Sequence, residues 1–146
     1  SDGKYIEELG TEYPSSRYKD IITPEKVKER KHHIHMNGRE VFKHAVRRFP
    51  EVILEGLEYN NLTVDDVNLV VPHQANYRIT QAVQKQLKVP DNKIFSNIHK
   101  YGNTTAASIG IALSEALEQN LIKDNDIIVL ASFGAGWYWG SVIIKW

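Results

Sequence analysis

The chain has 146 residues, 42% of them hydrophobic and 25% charged, the make-up of one folded domain, which excludes a disordered or fibrous protein. Lys and Arg together number 18, as do Asp and Glu, so no net field recruits nucleic acid or an anionic membrane surface. Cysteine is absent, which excludes disulfides, thiolate metal sites and a cysteine nucleophile within these residues.

No apolar run approaches the ~18 residues of a membrane span, and Ser1-Asp2-Gly3-Lys4 has no signal-like character, so a cytoplasmic protein is expected. The only Met is Met36, and the chain is expected to be a piece of something longer.

Residues 1–31 read as an irregular lead-in punctuated by Gly3, Gly10 and Pro14, with a short strand or loop edge over 4–9. Thr23-Pro24-Glu25 has the form of a helix start, but residues 25–31 lack an apolar face and predict a solvated turn or short helix. Residues 32–36 hold His32, His33 and His35; as a strand they put His33 and His35 on one face and His32 on the other. Nothing in the spacing completes a four-ligand site, so an exposed edge strand is expected and no metal.

From Gly38 to Asn60, Val41, Phe42, Ala45, Val46, Phe49, Val52, Ile53 and Leu57 recur mostly at three- and four-residue steps. That period predicts an amphipathic helix, which Pro50 should kink or divide. Lys43, Arg47 and Arg48 fall on its polar side as a solvated face, with docking of an acidic partner as the sharper alternative.

Thr63 should cap a helical turn holding Asp65 and Asp66, and Val67–Val71 reads as a buried strand ended by Pro72. His73 follows, then a helix from Asn76 to Lys88 with Ile79, Ala82, Val83 and Leu87 on one face. A second short strand, Lys93 to Asn97, leads through His99 and Gly102 to Asn103. Thr104 to Asn120 is helical, and its small residues Ala106, Ala107, Ser108, Gly110 and Ala112 permit close approach of another backbone. Gly110 is less favourable than Ala by ~1 kcal/mol, so a packing reason for it is expected.

Asp126 to Ser132 carries five consecutive apolar residues and predicts a central strand; a turn at 133–136 and a final strand to Trp146 follow. The resulting order, β-α-β-α-β-α-β-β, is an α/β protein with a mostly parallel sheet and helices on its faces.

Val70 to Ser108 is where chemistry concentrates. His73 and Asn103 each stand just past a strand-like run and just before a helix-like one, the place where α/β folds bind ligands. In a parallel sheet the strand ends face one side, bringing His73, Asn103 and the backbone N–H groups around Ala135 towards one point. Buried donors there would stabilise a developing enolate or oxyanion, helped by the helix N-termini. On spacing alone, this reading stands even with a purely structural role for both side chains.

Four motifs occur in order: Met36-Asn37-Gly38-Arg39-Glu40-Val41-Phe42, Val71-Pro72-His73-Gln74-Ala75-Asn76, Gly102-Asn103-Thr104-Thr105-Ala106-Ala107-Ser108, and Phe133-Gly134-Ala135-Gly136 with Trp139-Gly140-Ser141. From about Arg30 to Trp146 the chain thereby resembles the 3-oxoacyl-acyl-carrier-protein synthases of type III, of the thiolase-like superfamily. The resemblance implies a C-terminal thiolase-like domain over 1–146, one half of a five-layered αβαβα sandwich. The N-terminal half, with its cysteine nucleophile, is absent from these residues.

The implied activity is a decarboxylative Claisen condensation in fatty acid biosynthesis, joining an acyl-CoA primer to malonyl-acyl-carrier-protein. His73 and Asn103 would be the second and third members of a Cys-His-Asn triad, hydrogen-bonded to the malonyl thioester oxygen, and the Ala135 amide would complete an oxyanion hole. Asn76, Gly38, Phe133 and Gly134 match positions that line the pantetheine channel, and Arg78 a basic position that meets the carrier protein. Coenzyme A enters as a thioester substrate, with no bound cofactor.

The implied partners are acyl carrier protein, the N-terminal half and a second copy in a homodimer, with neither nucleic acid nor membrane. Two positions depart from the pattern: Arg39 replaces a smaller polar residue, and Ala135 a more usual glycine, which requires that Ala135 keep a negative φ. The isolated chain is expected to be inactive. The alternatives are a non-catalytic, cysteine-free thiolase-like binding subunit, or a related CoA-thioester acyltransferase of secondary metabolism.

Overall fold

The structure is a computed structural model and describes residues 1–14 and 22–146, so part of the lead-in, 15–21, lies outside the described residues. The chain forms two compact units, residues 1–43 with 134–138, and residues 44–133 with 139–146.

In the first unit, Gly3–Glu8 winds as 3₁₀ turns, so the short strand expected over 4–9 shrinks to β1, Leu9–Gly10. The reason is local: Asp2 has extended backbone, and its side chain accepts the Lys4 N–H at 3.3 Å, which starts a turn. Helix α1, Pro24–Lys28, begins as its sequence predicts, with Thr23 Oγ1 accepting the Lys26 N–H at 3.4 Å. Strand β2, His35–Met36, is exposed and pairs antiparallel with β1, Leu9 opposite Met36 and Gly10 opposite His35. The histidines take separate partners. His35 Nε2 donates to the Glu7 carbonyl at 2.8 Å, while the His32 and His33 rings meet edge to face at 4.4 Å.

Helix α2, Gly38–Tyr59, buries Ala45, Phe49, Ile53 and Leu57 and continues as one helix through Pro50, so the division expected there does not occur. Proline has no N–H for the carbonyl four residues earlier, that of Val46. Gln86 supplies the missing donor, its Nε2 lying 2.9 Å from Val46 O.

The second unit is built on a three-stranded sheet. Strand β3, Leu69–Pro72, is buried at every position; beside it runs β4, Ile127–Gly134, and beyond β4 lies β5, Tyr138–Lys145. β3 and β4 are parallel, in a register from Leu69 opposite Ile128 to Pro72 opposite Ala131. Helix α3, Tyr77–Leu87, follows β3, and a short helix α4, Ile98–Tyr101, precedes α5, Ala107–Glu118. α5 packs on β3, and the core between them is Leu69, Val71, Phe95, Ala112, Ala116, Ile122 and Ile128.

The strand expected at 93–97 is reduced to one parallel bridge, Ile94 beside Val70, with the Phe95 N–H donating to Val70 O at 2.9 Å. The segment enters from a 3₁₀ turn at Asp91–Lys93 and leaves at Asn97 into α4, which leaves no length for a ladder. Gly110 is also a correction: a Cβ there would meet nothing within 4 Å, so no packing reason for it lies among the described residues. Gly56 does have one. A Cβ on it would fall 2.6 Å from Ser141 Oγ, whose hydroxyl donates to Val52 O at 2.7 Å and so ties β5 to α2. Among the described residues no helix is long and apolar enough to cross a membrane.

Candidate active site

His73 is the first residue past β3, and its N–H donates to Ala131 O at 2.8 Å, carrying the parallel pairing one step beyond Pro72. Among the described residues its ring is fixed from one side: Nδ1 lies 2.5 Å from Ser108 Oγ. Ser108 is buried in the first turn of α5, and its Oγ also accepts the Gln74 N–H at 3.2 Å. Burial pushes the imidazole pKa below the ordinary histidine value, which favours the neutral ring.

Asn103 is exposed and sits in a loop that uses two left-handed positions, Gly102 at φ 68° and Thr105 at φ 52°. Its Oδ1 accepts the Thr105 N–H at 2.9 Å, a side-chain turn that holds the amide. The next link is the Ser108 N–H donating to Thr105 O at 3.2 Å. A continuous path of hydrogen bonds therefore joins His73, Ser108, Thr105 and Asn103. The αL residue explains why α5 begins at Ala107 and not at Thr104 as its sequence predicts.

Beneath these two residues lies a buried polar network. Gln74, 1% exposed, uses its whole side-chain amide: Nε2 donates to Pro72 O at 2.7 Å and Phe95 O at 3.3 Å. Its Oε1 accepts the Ser96 hydroxyl at 2.9 Å and the Asn97 N–H at 3.1 Å. Asn97 in turn donates from Nδ2 to Glu115 Oε2 at 2.8 Å, and Glu115 Oε1 pairs with Lys100 and accepts from Gln119 Nε2 at 3.1 Å. The Lys100 ammonium, then the Asn97 amide, hold the Glu115 carboxyl below its usual pKa, and Glu115 raises that of Lys100.

Glu115 thus grips Asn97 and Lys100 at the two ends of α4, the turn that delivers Gly102 and Asn103. Sequence reasoning missed this network. A signal was present: Glu115 interrupts the buried face of α5 between Ala112 and Ala116.

The remaining candidates are placed as follows. Asn76 caps α3, its Oδ1 accepting the Arg78 N–H at 2.9 Å, which leaves its NH₂ as the group a ligand could meet; Arg78 is exposed in the first turn. Phe133 is buried on β4 and stacks on Trp139 at 6.3 Å, with the Arg48 guanidinium 4.3 Å over the other ring. Arg47 and Arg48 both pair with the single carboxylate of Glu51 at 2.7 Å, which offsets part of the positive charge expected on that face.

Gly38, Gly134 and Ala135 belong to the other unit. Gly38 opens α2 and Gly134 ends β4, while the left-handed positions of the following turn are Gly136 at φ 72° and Trp137 at φ 49°. Ala135 is not one of them, so its Cβ is tolerated in the way the substitution of glycine requires.

Residues 57–146 match the family model described as 3-oxoacyl-[acyl-carrier-protein (ACP)] synthase III C terminal. Over 124 residues the chain is 49% identical to a beta-ketoacyl-[acyl-carrier-protein] synthase III of Roseiflexus castenholzii, covering 85% of this chain and 38% of that protein. The protein of the same name from Listeria welshimeri is 42% identical over 139 residues, covering 95% of this chain and 42% of its own length. Among solved structures, the beta-ketoacyl-[acyl carrier protein] synthase III of Thermus thermophilus aligns with a TM-score of 0.88 at 40% identity, covering 100% of this chain and 44% of that one. The chain spans 38–42% of the length of these two curated relatives. It has the thiolase-like α/β fold of these structures and belongs to the 3-oxoacyl-[acyl-carrier-protein] synthase III family, matching its C-terminal part.

Proposed function

We propose that the protein carrying this chain condenses an acyl-CoA primer with malonyl-acyl-carrier-protein in fatty acid biosynthesis, and that His73 and Asn103 act in its decarboxylation step. One observation carries this reading: both side chains have one edge engaged by the protein, His73 Nδ1 by Ser108 and Asn103 Oδ1 by Thr105, leaving the His73 Nε2 edge and the Asn103 NH₂ for a ligand. Two N–H donors suit the thioester oxygen of a malonyl group. As the bond to the carboxylate breaks, its electron pair passes into an enolate whose negative oxygen those donors stabilise. The carbanion then attacks the acyl thioester carbon, and the cysteine leaves as thiolate.

That cysteine has to come from outside these residues, which contain none. The exposed small residues Ala106, just before α5, and Ala107, Gly110 and Ser114 within it support close packing of an N-terminal half on this face. In the same reading the backbone N–H of Ala135 joins the oxyanion hole for acyl transfer. Asn76, Gly38, Phe133 and Gly134 line the pantetheine path, Arg78 meets the acidic carrier protein, and the complete enzyme is a cytoplasmic homodimer.

The test is a condensation assay with malonyl-acyl-carrier-protein and acetyl-CoA. The complete protein should release carbon dioxide and coenzyme A and form the 3-oxoacyl product, whereas residues 1–146 alone should not. A complete protein that binds carrier protein without forming product would establish the binding-subunit alternative instead.

A further inference from the structure

We propose that Ser108 is a positioning residue that fixes the tautomer of His73: its hydroxyl donates to Nδ1, so the ring carries its proton on Nε2 and presents a donor to the site. The inference rests on the function proposed above only for its catalytic consequence; the hydrogen-bond argument stands on geometry.

The Gln74 backbone amide, 3.2 Å from Ser108 Oγ, can only donate, so Oγ must accept there. The hydroxyl hydrogen then needs an acceptor, and among the described residues the one that meets Oγ is His73 Nδ1 at 2.5 Å. The opposite arrangement, with Nδ1–H donating to Oγ, would leave the hydroxyl hydrogen of a side chain 2% exposed without a partner. An imidazolium would leave it equally stranded. It would also stand at the N-terminal end of α5, where the partial positive charge of the helix disfavours a cation.

Ser108 is itself held at two points besides the ring. Its N–H donates to Thr105 O at 3.2 Å, its Oγ accepts from Gln74, and Gln74 is locked by Pro72, Phe95, Ser96 and Asn97. The hydroxyl therefore has little freedom to turn away from the ring. The same residue that orients His73 is bonded to Thr105, which holds Asn103 Oδ1, so one serine couples both candidate donors.

The test uses the complete protein with ¹⁵N-labelled histidine at mildly alkaline pH, where the protonated and bare ring nitrogens of His73 give well-separated signals. Wild type should show a bare Nδ1 and a protonated Nε2. Ser108→Ala should lose that preference and lower malonyl decarboxylation by roughly 10- to 100-fold, with acylation of the nucleophile retained. Ser108→Thr keeps the hydroxyl and should restore both the tautomer and the rate, which a purely structural role for the serine does not predict.

A proton on Nδ1 in wild type, or a Ser108→Ala variant with an unchanged tautomer, overturns the proposal. The two readings separate cleanly. A protein with the Nε2–H tautomer but no malonyl decarboxylation supports the role of Ser108 and contradicts the proposed function, whereas decarboxylation with the Nδ1–H tautomer overturns the role of Ser108 and the donor role of His73 while leaving the condensing activity in place.

Discussion

Gln86 donates its side-chain amide to the Val46 carbonyl at 2.9 Å, replacing the backbone donor that Pro50 cannot supply. A bond that fills a proline's vacancy should couple to that proline. Gln86→Ala is expected to destabilise the protein by about 1 kcal/mol, the usual net worth of such a hydrogen bond. In a Pro50→Ala background, where residue 50 regains its N–H, the same substitution should cost much less. Equilibrium unfolding of the four proteins in a double-mutant cycle measures the difference, and an equal cost in both backgrounds contradicts the pairing.

Thr105 holds φ at 52°, a conformation that a β-branched side chain disfavours, in order to place its N–H on Asn103. Asn tolerates left-handed backbone better, so Thr105→Asn should raise stability by ~1 kcal/mol and Tm by roughly 2–4 °C. Thermal unfolding checks this, and a clear drop in Tm would show that the threonine side chain contributes more than its backbone costs.

Burial is the cause of the depressed His73 pKa, and the sign of its effect on stability follows. Between the ordinary histidine value and the lower folded one, the unfolded chain binds a proton that the folded chain refuses. Stability should therefore fall as pH drops through that window, with no contribution from His73 above it. Replacing His73 with Asn should remove this part of the pH slope, measured by denaturant unfolding across mildly acid pH. A His73 resonance titrating above the ordinary histidine value would contradict the assignment.

Most of the secondary structure was legible because it rests on short-range physics. The apolar run in β4 and the Thr23-Pro24 helix start depend on residues a few positions apart, whereas the edge strand expected over 32–36 is kept only at His35–Met36, where Leu9–Gly10 pairs with it. The errors came from long-range partners or from length. Pro50 stays within one helix because a side chain from α3 reaches it, and no local pattern announces Gln86. The segment 93–97 has strand-like residues but only one bridging position before α4 begins.

The site divides in the same way. His73 and Asn103 are legible as candidates from their place after strand-like runs and from their motifs. Ser108 and Gln74 were not, because their meaning lies in hydrogen bonds across more than thirty positions of chain. Glu115 was the one residue of the network with a local signature, a carboxylate on a core-facing helix stripe.

The most direct measurement separates the two half-reactions in the complete protein, following malonyl decarboxylation and acylation of the nucleophile independently for His73→Ala and Asn103→Ala. Decarboxylation is expected to fall by roughly 10²–10³ in each variant, the usual cost of deleting one oxyanion donor, while acylation changes far less. Equal loss in both half-reactions would contradict the assignment of His73 and Asn103 to the thioester oxygen.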